Sequence, residues 1–258
     1  MGDELRVEGL VVEAAGRRLV DGVDYVVGAG QIVALVGASG SGKTQCARAA
    51  LGLVRARPGV VAGRISARVD GVEFGPFGAD RPPLPLRGAV AAYLHQDGRA
   101  ALDPLQRVED QLRRVLALPG ASGQSPADIL RRAGFSTPAA ALSRFPCELS
   151  GGMAQRVGIA LALARNSRFL LADEPTTGLD PTVQQVVVEG LAALARGGVG
   201  VLFITHDLRL AARFAHQLLI LDEGRVVERL VPTALGQAAS PAGRRLVDAL
   251  VALDGRAL

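Results

Sequence analysis

Lysine is almost absent from this sequence, because Lys43 is the only lysine among 29 basic residues. The other 28 are arginine, so the chain uses arginine almost wherever it needs a cation. Aromatic residues are also scarce: they make up 3% of the chain, whereas hydrophobic residues make up 49%. The hydrophobic core is therefore expected to be aliphatic. A chain of 258 residues is long enough for one large domain or two modest ones.

The sequence also lacks long apolar runs, runs of basic residues and cysteines at metal-ligand spacing, and each absence argues against one class of protein. No apolar run approaches the roughly 18 residues of a membrane-spanning helix, and the N-terminal MGDELRVEGL is charged, so neither a span nor a signal segment is expected. The net charge is +4, but basic and acidic residues alternate without a basic run, which does not indicate a nucleic-acid partner. Cys46 and Cys147 lack metal-ligand spacing and are expected to be reduced thiols of a cytosolic protein.

The single lysine lies in a glycine-rich segment of the form G-x-x-x-x-G-K-[ST], the P-loop or Walker A motif. An apolar run at 31–36 predicts a buried strand before this segment, and residues 44–53 predict a helix after it. In that context, backbone N–H groups and the helix N-terminus face phosphate, a compact ammonium contacts the β- and γ-phosphates, and the threonine hydroxyl binds Mg²⁺. The alternative is a chance glycine-rich loop among 32 glycines. The predicted nucleotide-binding residues are Gly37, Ala38, Ser39, Gly40, Ser41, Gly42, Lys43 and Thr44.

Two adjacent carboxylates end a second apolar strand, predicted at 168–172. In P-loop nucleotide hydrolases an acid at such a strand end holds Mg²⁺, which fits Asp173. Glu174 is then placed as the base that polarises the attacking water. An ordinary solvated Asp-Glu pair is the alternative, and the P-loop upstream favours the catalytic interpretation.

The remaining pattern predicts an α/β core with an antiparallel flank and a helical insertion. The flank comprises strands at 5–12 and 18–27 around Ala15-Gly16, and a hairpin from Gly63 to Phe74 around Asp70-Gly71. The other predicted elements are a loop at 75–88, a strand at 89–94, helices near 107–118, 126–133 and 151–165, helix 181–195, strand 199–204, helix 207–215 and a hairpin turned at 222–224.

A third motif carries a resemblance to a known family. Ser150 is a good N-cap for the predicted helix at 151–165, and the glycines that follow it expose backbone N–H groups to an anion. This segment, Leu149-Ser150-Gly151-Gly152-Met153, resembles the LSGGQ signature of ATP-binding cassette (ABC) ATPases. Gln96 resembles the family's Q-loop glutamine, Asp180 its D-loop aspartate and His206 its switch histidine. His95 and His216 are expected to be structural.

The resemblance implies a P-loop NTPase fold of the α/β class, with a RecA-like parallel-sheet core. It implies one ABC ATPase domain over 1–258, with a nucleotide-binding core at 1–96 and 166–236, a helical subdomain at 97–165 and a tail at 237–258. It implies ATP as substrate, with Glu174, His206 and Gln96 as catalytic residues and Thr44, Gln96 and Asp173 as Mg²⁺ ligands. It also implies a head-to-tail dimer in which Ser150, Gly151, Gly152 and Gln155 act on nucleotide bound to the other subunit.

Three segments look like the peptide and nickel importer branch: 96–104, 148–156 and the tail segment 240–246. This resemblance implies uptake of peptides or of nickel or a chelated metal, driven by ATP hydrolysis at the cytoplasmic face of the membrane. The implied partners are a second ABC ATPase subunit, identical or different, two transmembrane permease subunits and, indirectly, an extracytoplasmic substrate-binding protein. The alternative is an ABC ATPase of a soluble complex, such as the accessory ATPase of carbon–phosphorus lyase.

Two residues depart from the family pattern. Ala14 occupies the position of the aromatic residue that stacks on adenine, and Tyr25 lies too close to the P-loop strand to be assumed as a substitute. Weaker or less base-selective nucleotide binding is therefore expected. Gly98 replaces the usual proline of the Q-loop, which predicts a looser coupling loop.

Overall fold

The computed structural model describes residues 2–254, with side chains described through Ala252. Its strands form two sheets, one of four strands and one of six. The strands are β1 Glu4–Ala14, β2 Arg17–Gly28, β3 Ile32–Val36, β4 Pro58–Val69, β5 Val72–Phe77, β6 Ala91–Leu94, β7 Phe169–Asp173, β8 Gly200–Thr205, β9 Gln217–Asp222 and β10 Arg225–Leu230.

The four-stranded sheet is antiparallel, in the order β2-β1-β4-β5. Its two hairpins turn where the sequence predicts, with Ala15 at φ 46° and Gly16 at φ 76°, and with Asp70 at φ 50° and Gly71 at φ 78°. Turns with positive φ at both central residues match the right-handed twist of the flanking strands. The predicted antiparallel flank is confirmed.

The six-stranded sheet has the order β10-β9-β3-β8-β7-β6, and only the edge strand β10 is antiparallel to its neighbour. All five residues of β3 and of β7 are buried. Both faces of a parallel sheet are covered, so such strands are largely apolar instead of alternating, and Asp173 at the end of β7 is the exception within these two strands. The carboxyl ends of β3, β6, β7 and β8 meet at one edge of the sheet.

Helices cover both faces of this sheet and form the insertion between β6 and β7. Helix α1 begins at Lys43, directly after the glycine-rich loop, and α2 to α5 all lie between those two strands. The helices are α1 Lys43–Ala50, α2 Val108–Leu116, α3 Pro126–Arg132, α4 Pro138–Leu142, α5 Gly151–Arg165, α6 Pro181–Arg196, α7 Leu208–Phe214 and α8 Pro241–Asp254.

The two faces of the six-stranded sheet belong to two apolar cores. Ile32 and Val36 point into the core that the inserted helices share, together with Leu112 of α2 and Val157 of α5. Leu35 points the other way, into the core that contains α1 and the antiparallel sheet. Large buried side chains in both cores are mostly aliphatic, as the composition predicts. The sheet thus fixes the position of the insertion on one face and of α1 on the other.

Three segments differ from the sequence prediction. Residues 75–88 are not all loop, because β5 continues to Phe77 and a 3-10 turn spans Leu84–Leu86. Helix α4 was not predicted, since it has only five residues. Helix α8 was not predicted either. The Glu228 side chain accepts hydrogen bonds from the backbone N–H groups of Ala239 and Ser240 just before it.

Helices α2 to α5 lie within residues 97–165 and α8 lies within 237–258, of which residues 255–258 are outside the described part. The domain boundaries themselves stay a prediction. Among residues 2–254, no helix combines the length and the hydropathy that a bilayer crossing requires.

Candidate nucleotide site

At the carboxyl edge of the six-stranded sheet, a cleft of about 320 Å³ is lined by two of the predicted catalytic residues, Gln96 and Glu174. The third, His206, does not line this cleft but lies 3.4 Å from Glu174. The glycine-rich loop follows β3, Gln96 follows β6, and Glu174 follows β7. The cleft is lined by Leu19, Ser39, Gly40, Gly42, Lys43, Thr44, Gln45, Gln96 and Glu174. Ligands of open α/β sheets bind at this edge, and the fold brings together residues as distant in the sequence as Leu19 and Glu174.

The loop itself requires glycine at two positions. A Cβ at Gly42, which has φ 103°, would lie 2.4 Å from the carbonyl oxygen of Leu19. A Cβ at Gly37 would lie 2.2 Å from the carbonyl oxygen of Leu221. Both contacts are with backbone atoms, which cannot move aside as a side chain does. The loop is therefore wedged between β2 and β9.

Lys43 is 4% exposed, and its ammonium donates to the carbonyl oxygens of Gly37 and Ala38, both at 2.9 Å. Its Nζ lies 3.8 Å from Oε1 of Glu174. Burial lowers the pKa of Lys43 below its usual value, whereas the carboxylates of Glu174 and Asp173 act in the opposite direction. The only lysine of the chain thus points its charge into the curve of the loop.

Asp173 and Thr44 meet across the boundary between β7 and α1. The Thr44 hydroxyl donates to Oδ1 of Asp173 at 2.9 Å, and Asp173 is 4% exposed. The other carboxylate oxygen, Oδ2, accepts a hydrogen bond from the hydroxyl of Tyr93. Both oxygens of a nearly buried carboxylate are therefore paired, as burial of a charge requires.

Glu174 has an unusual backbone, with φ 44°, and its N–H donates to the carbonyl oxygen of Ile204 at 3.0 Å. Its Oε2 accepts from the Thr177 hydroxyl at 3.0 Å and lies 3.4 Å from Nδ1 of His206. A non-glycine residue in the left-handed region carries strain that clusters at functional sites. The turn directs the carboxylate toward Lys43 and His206 instead of continuing the strand.

The Q-loop is held by Gln155 from within the same chain. Gln155 is 2% exposed, and its Nε2 donates to the backbone carbonyl oxygens of His95, at 3.0 Å, and Gln96. The expectation that Gln155 acts in trans therefore disagrees with the structure, because its amide is buried on its own Q-loop. Gln96 itself is exposed and lines the cleft.

Gly98 also differs from its prediction. A Cβ on Gly98 would lie 2.6 Å from the backbone nitrogen of Gln155. The glycine thus brings the Q-loop against the first turns of α5, and the expectation of a looser loop is wrong for this structure.

The signature segment begins α5 in the predicted way. The Ser150 side chain accepts from the N–H of Met153 at 3.2 Å, and Ser150 and Gly151 are exposed. Gly152 is buried against α6, where a Cβ would lie 2.1 Å from Cγ1 of Val183. Asp180 caps α6 by accepting from the N–H of Val183 at 3.0 Å. The signature and the D-loop segment therefore pack together on the surface of this chain.

These residues fit a nucleotide phosphate with Mg²⁺. The Ser41 hydroxyl oxygen is buried without a hydrogen-bond partner among the described residues, inside a loop that glycines keep narrow. A hydroxyl and a carboxylate lie side by side at Thr44 and Asp173, and oxygen ligands of this kind are the ones that Mg²⁺ prefers.

Sequence reasoning missed Tyr93, Leu19 and Thr177, which contact the site from elements that carry no motif. The sequence feature that could have drawn attention to Tyr93 is the scarcity of tyrosine, since the chain has two tyrosines. The other, Tyr25, is 1% exposed and donates to the carbonyl oxygen of Cys46, so it is closed to a nucleotide base. The structural expectation for His216 agrees with its Nδ1, which accepts from the N–H of Ile32 at 2.9 Å.

A phosphate loop held between two strands, a buried lysine within it and two carboxylates at the end of β7 define the class of P-loop nucleotide hydrolases. The ABC transporter family model matches residues 20–177, and the chain belongs to that family. It is therefore an ATP-binding cassette ATPase, which confirms the predicted family, fold class and enzyme class.

Several curated relatives are similar over most of the chain. The nickel import ATP-binding protein NikD of Brucella abortus is 42% identical over 234 residues, which cover 87% of this chain and 86% of that protein. The dipeptide transport ATP-binding protein DppD of Escherichia coli is 36% identical, over 84% of this chain and 67% of its own length. The oligopeptide transport ATP-binding protein OppD of Mycobacterium tuberculosis is 40% identical, over 81% of this chain and 35% of its own length.

Solved structures have the same fold. The ATP binding subunit of an ABC transporter superposes with a TM-score of 0.73 at 25% identity, and the match covers 98% of this chain and 99% of that one. A bacterial Atm1-family ABC exporter with ATP bound superposes with a TM-score of 0.75 at 25% identity, over 100% of this chain and 43% of that one.

Proposed function

We propose that this chain is the ATP-hydrolysing subunit of an importer that takes up peptides, nickel or a chelated metal. The observation that carries the ATPase chemistry is that Lys43, Thr44 and Glu174 line one cleft and that Thr44 is hydrogen-bonded to Asp173. The transport direction and the substrate classes are supported by relatives that are 36–42% identical and named for nickel, dipeptide and oligopeptide transport.

Each residue of the cleft has a proposed role in hydrolysis. The Lys43 ammonium holds the β- and γ-phosphates, while the loop N–H groups surround them. Thr44, Asp173 and Gln96 would hold Mg²⁺, which would neutralise charge on the phosphates. The Glu174 carboxylate accepts the proton of the attacking water, and His206, which is 3.4 Å from it, orients that carboxylate or the γ-phosphate.

A second cassette completes the site. Ser150 and Gly151 are exposed at the N-terminus of α5, a position that favours an anion, yet they do not line the cleft of their own chain. We therefore assign them, with Gly152, to ATP bound by a partner cassette, identical or different. Gln155 is left out of this set because it is buried.

The permease subunits would contact the groove between β6 and the inserted helices. This groove has a volume of about 560 Å³, and its apolar lining includes Leu94, Val115, Leu118 and Leu161. His95, which precedes Gln96, also lines it. A helix of a membrane partner seated there would touch the same loop that ends in the cleft. The chain would thereby lie at the cytoplasmic face of the membrane.

Reconstitution tests this proposal. The chain would be combined with the permease proteins encoded beside its gene, and ATP hydrolysis would be measured with and without the transported ligand and its binding protein. A stable complex with ligand-stimulated hydrolysis is expected, and Lys43→Ala should abolish the hydrolysis without dissolving the complex. If no complex forms and the rate of ATP hydrolysis does not change when the ligand is added, the importer proposal is wrong.

The alternative is an ATPase of a soluble assembly such as carbon–phosphorus lyase. The names of the curated relatives cited above favour the importer over it. Co-purification with phosphonate enzymes instead of permeases would support the alternative.

A further inference from the structure

Tyr93 lies outside the recognised motifs, yet its side chain bonds directly to the carboxylate of Asp173, a proposed metal ligand. It lies in β6, and its strand register places it opposite Leu171 of β7. Side chains of a strand alternate between faces, so Leu171 and Asp173 point to the same side of the sheet. The phenol of Tyr93 reaches along that side to Oδ2 of Asp173 and donates a hydrogen bond to it.

The same hydroxyl is contacted from α1. The Nε of Arg48 lies 3.4 Å from the Tyr93 oxygen and donates to it. The phenol therefore accepts from a guanidinium and donates to a carboxylate, which fixes the direction of its own proton. A tyrosine hydroxyl ordinarily has a pKa of about 10, so the phenol keeps its proton at neutral pH.

The two oxygens of Asp173 thus have different partners. Oδ1 is paired with Thr44, and Oδ2 is paired with Tyr93. The terminal torsion of an aspartate is broad when nothing holds it. Tyr93 is not itself a proposed metal ligand. Its hydrogen bond to Oδ2 therefore restricts this torsion even when Thr44 is no longer paired with Oδ1.

We propose that Tyr93 is a positioning residue, which holds the Asp173 carboxylate with Oδ1 beside Thr44 so that the pair is preorganised for nucleotide-bound Mg²⁺. The inference rests on the metal role that the proposed function gives to Asp173. What it adds to that role is that the hydroxyl of Tyr93, and not only its ring, contributes to the affinity of the site for the metal.

The test compares Tyr93→Phe with the unchanged chain, both in a Glu174→Gln background to prevent hydrolysis. Binding of Mn²⁺ to the complex with ATP would be measured by electron paramagnetic resonance, and binding of ATP in excess chelator would be measured separately. Loss of one hydrogen bond to a charged group that holds the metal should weaken Mn²⁺ binding by about 10- to 100-fold. ATP binding without metal should stay the same.

Tyr25→Phe is the matched control, because it also removes one buried phenol hydroxyl from a hydrogen bond, here to the Cys46 carbonyl oxygen. It should lower stability without changing Mn²⁺ affinity. If Tyr93→Phe behaves like Tyr25→Phe, with lower stability and native metal affinity, the positioning role is overturned.

Asp173→Asn distinguishes a failure of the inference about Tyr93 from a failure of the proposed metal role of Asp173. If it weakens Mn²⁺ binding and Tyr93→Phe does not, only the inference about Tyr93 fails. If Asp173→Asn leaves Mn²⁺ binding unchanged, the metal role of Asp173 fails and the inference fails with it. In the Asp173→Asn background, Tyr93→Phe should cause no further loss, because the two side chains act through one interaction.

Discussion

The ammonium of Lys43 lies 3.8 Å from Oε1 of Glu174, although the two residues are separated by more than half the chain. Lys43 is 4% exposed and the Glu174 side chain is 18% exposed, so this pair lies mostly out of water. The proposed phosphate-binding group and the proposed base are therefore neighbours in the lining of one cleft.

The first prediction concerns Glu174→Gln. The amide keeps the size of the side chain but cannot accept the proton of the attacking water, so turnover should fall by about 100-fold or more. ATP binding should persist, since the phosphate contacts of the loop are unchanged. Single-turnover hydrolysis and equilibrium ATP binding would be measured together.

Glu73→Gln is the control for this substitution. Glu73 lies on β5, its side chain is 62% exposed, and it does not line the cleft. It should hydrolyse ATP at the native rate. Native turnover by Glu174→Gln would show that the base has been assigned to the wrong residue.

The second prediction uses the single lysine as a chemical probe. An amine-directed ATP analogue should label one internal peptide, the one containing Lys43, and MgATP should protect it. Only the neutral amine reacts, and burial lowers the pKa of Lys43 below its usual value of 10.5. The labelling rate should therefore reach half its maximum at a pH below 10.5.

A free lysine derivative in the same solution provides the reference titration. Peptide mapping by mass spectrometry would locate the label and separate it from the N-terminal amine. Labelling at Lys43 that follows the reference titration, or that MgATP does not slow, would contradict the buried position of this amine in the phosphate site.

The third prediction compares two glycines of the loop. Gly42→Ala places a methyl group against the Leu19 carbonyl oxygen, whereas Gly40→Ala, at φ 81°, meets nothing within 4 Å. Both substitutions strain a left-handed backbone, which costs roughly 1–3 kcal/mol. Gly42→Ala should lose roughly another 1–3 kcal/mol of unfolding free energy through overpacking.

Denaturant unfolding of the two variants measures this difference directly. Gly40→Ala serves as the matched control, since it shares the backbone strain and lacks the collision. Equal unfolding free energies for the two variants would mean that β2 does not press against the loop as the structure shows.

The fourth prediction concerns the adenine position. Ala14, at the end of β1, offers no aromatic face, and Tyr25 is buried elsewhere. Ala14→Tyr should tighten ATP binding by about 1–3 kcal/mol, the usual contribution of base stacking. Inorganic triphosphate has no base and should bind both chains equally. Calorimetric titrations with the two ligands would test this, and equal gains for both would exclude stacking as the cause.

Local chemistry explains which elements the sequence could predict. The Ser150 cap, the turns at Ala15-Gly16 and Asp70-Gly71, and the buried strand β3 all follow from residues within a few positions of one another. The motif residues Lys43, Asp173 and Glu174 were predicted because phosphate and Mg²⁺ chemistry restrict which residue types serve and at what spacing.

The mistaken or missed assignments depend on contacts between distant segments. Gln155 follows the signature closely enough to be grouped with it, but the rotation of α5 turns its amide inward to the Q-loop. Gly98 was interpreted as flexible from its residue type, whereas its neighbour in space is the backbone of α5. The residues next to Gln155 and Gly98 in the sequence do not indicate either of these contacts.

The amino-acid order alone determined the class of chemistry, because a phosphate loop, a strand-end carboxylate pair and a signature helix each need particular residues at short spacing. Only the tertiary structure decided which side chains share the cleft and which are enclosed. Tyr93 reaches Asp173 because two parallel strands are in register, and Gln155 is withdrawn because a helix presents one face to the sheet. Such relationships arise from packing between distant segments, which short-range sequence patterns do not record.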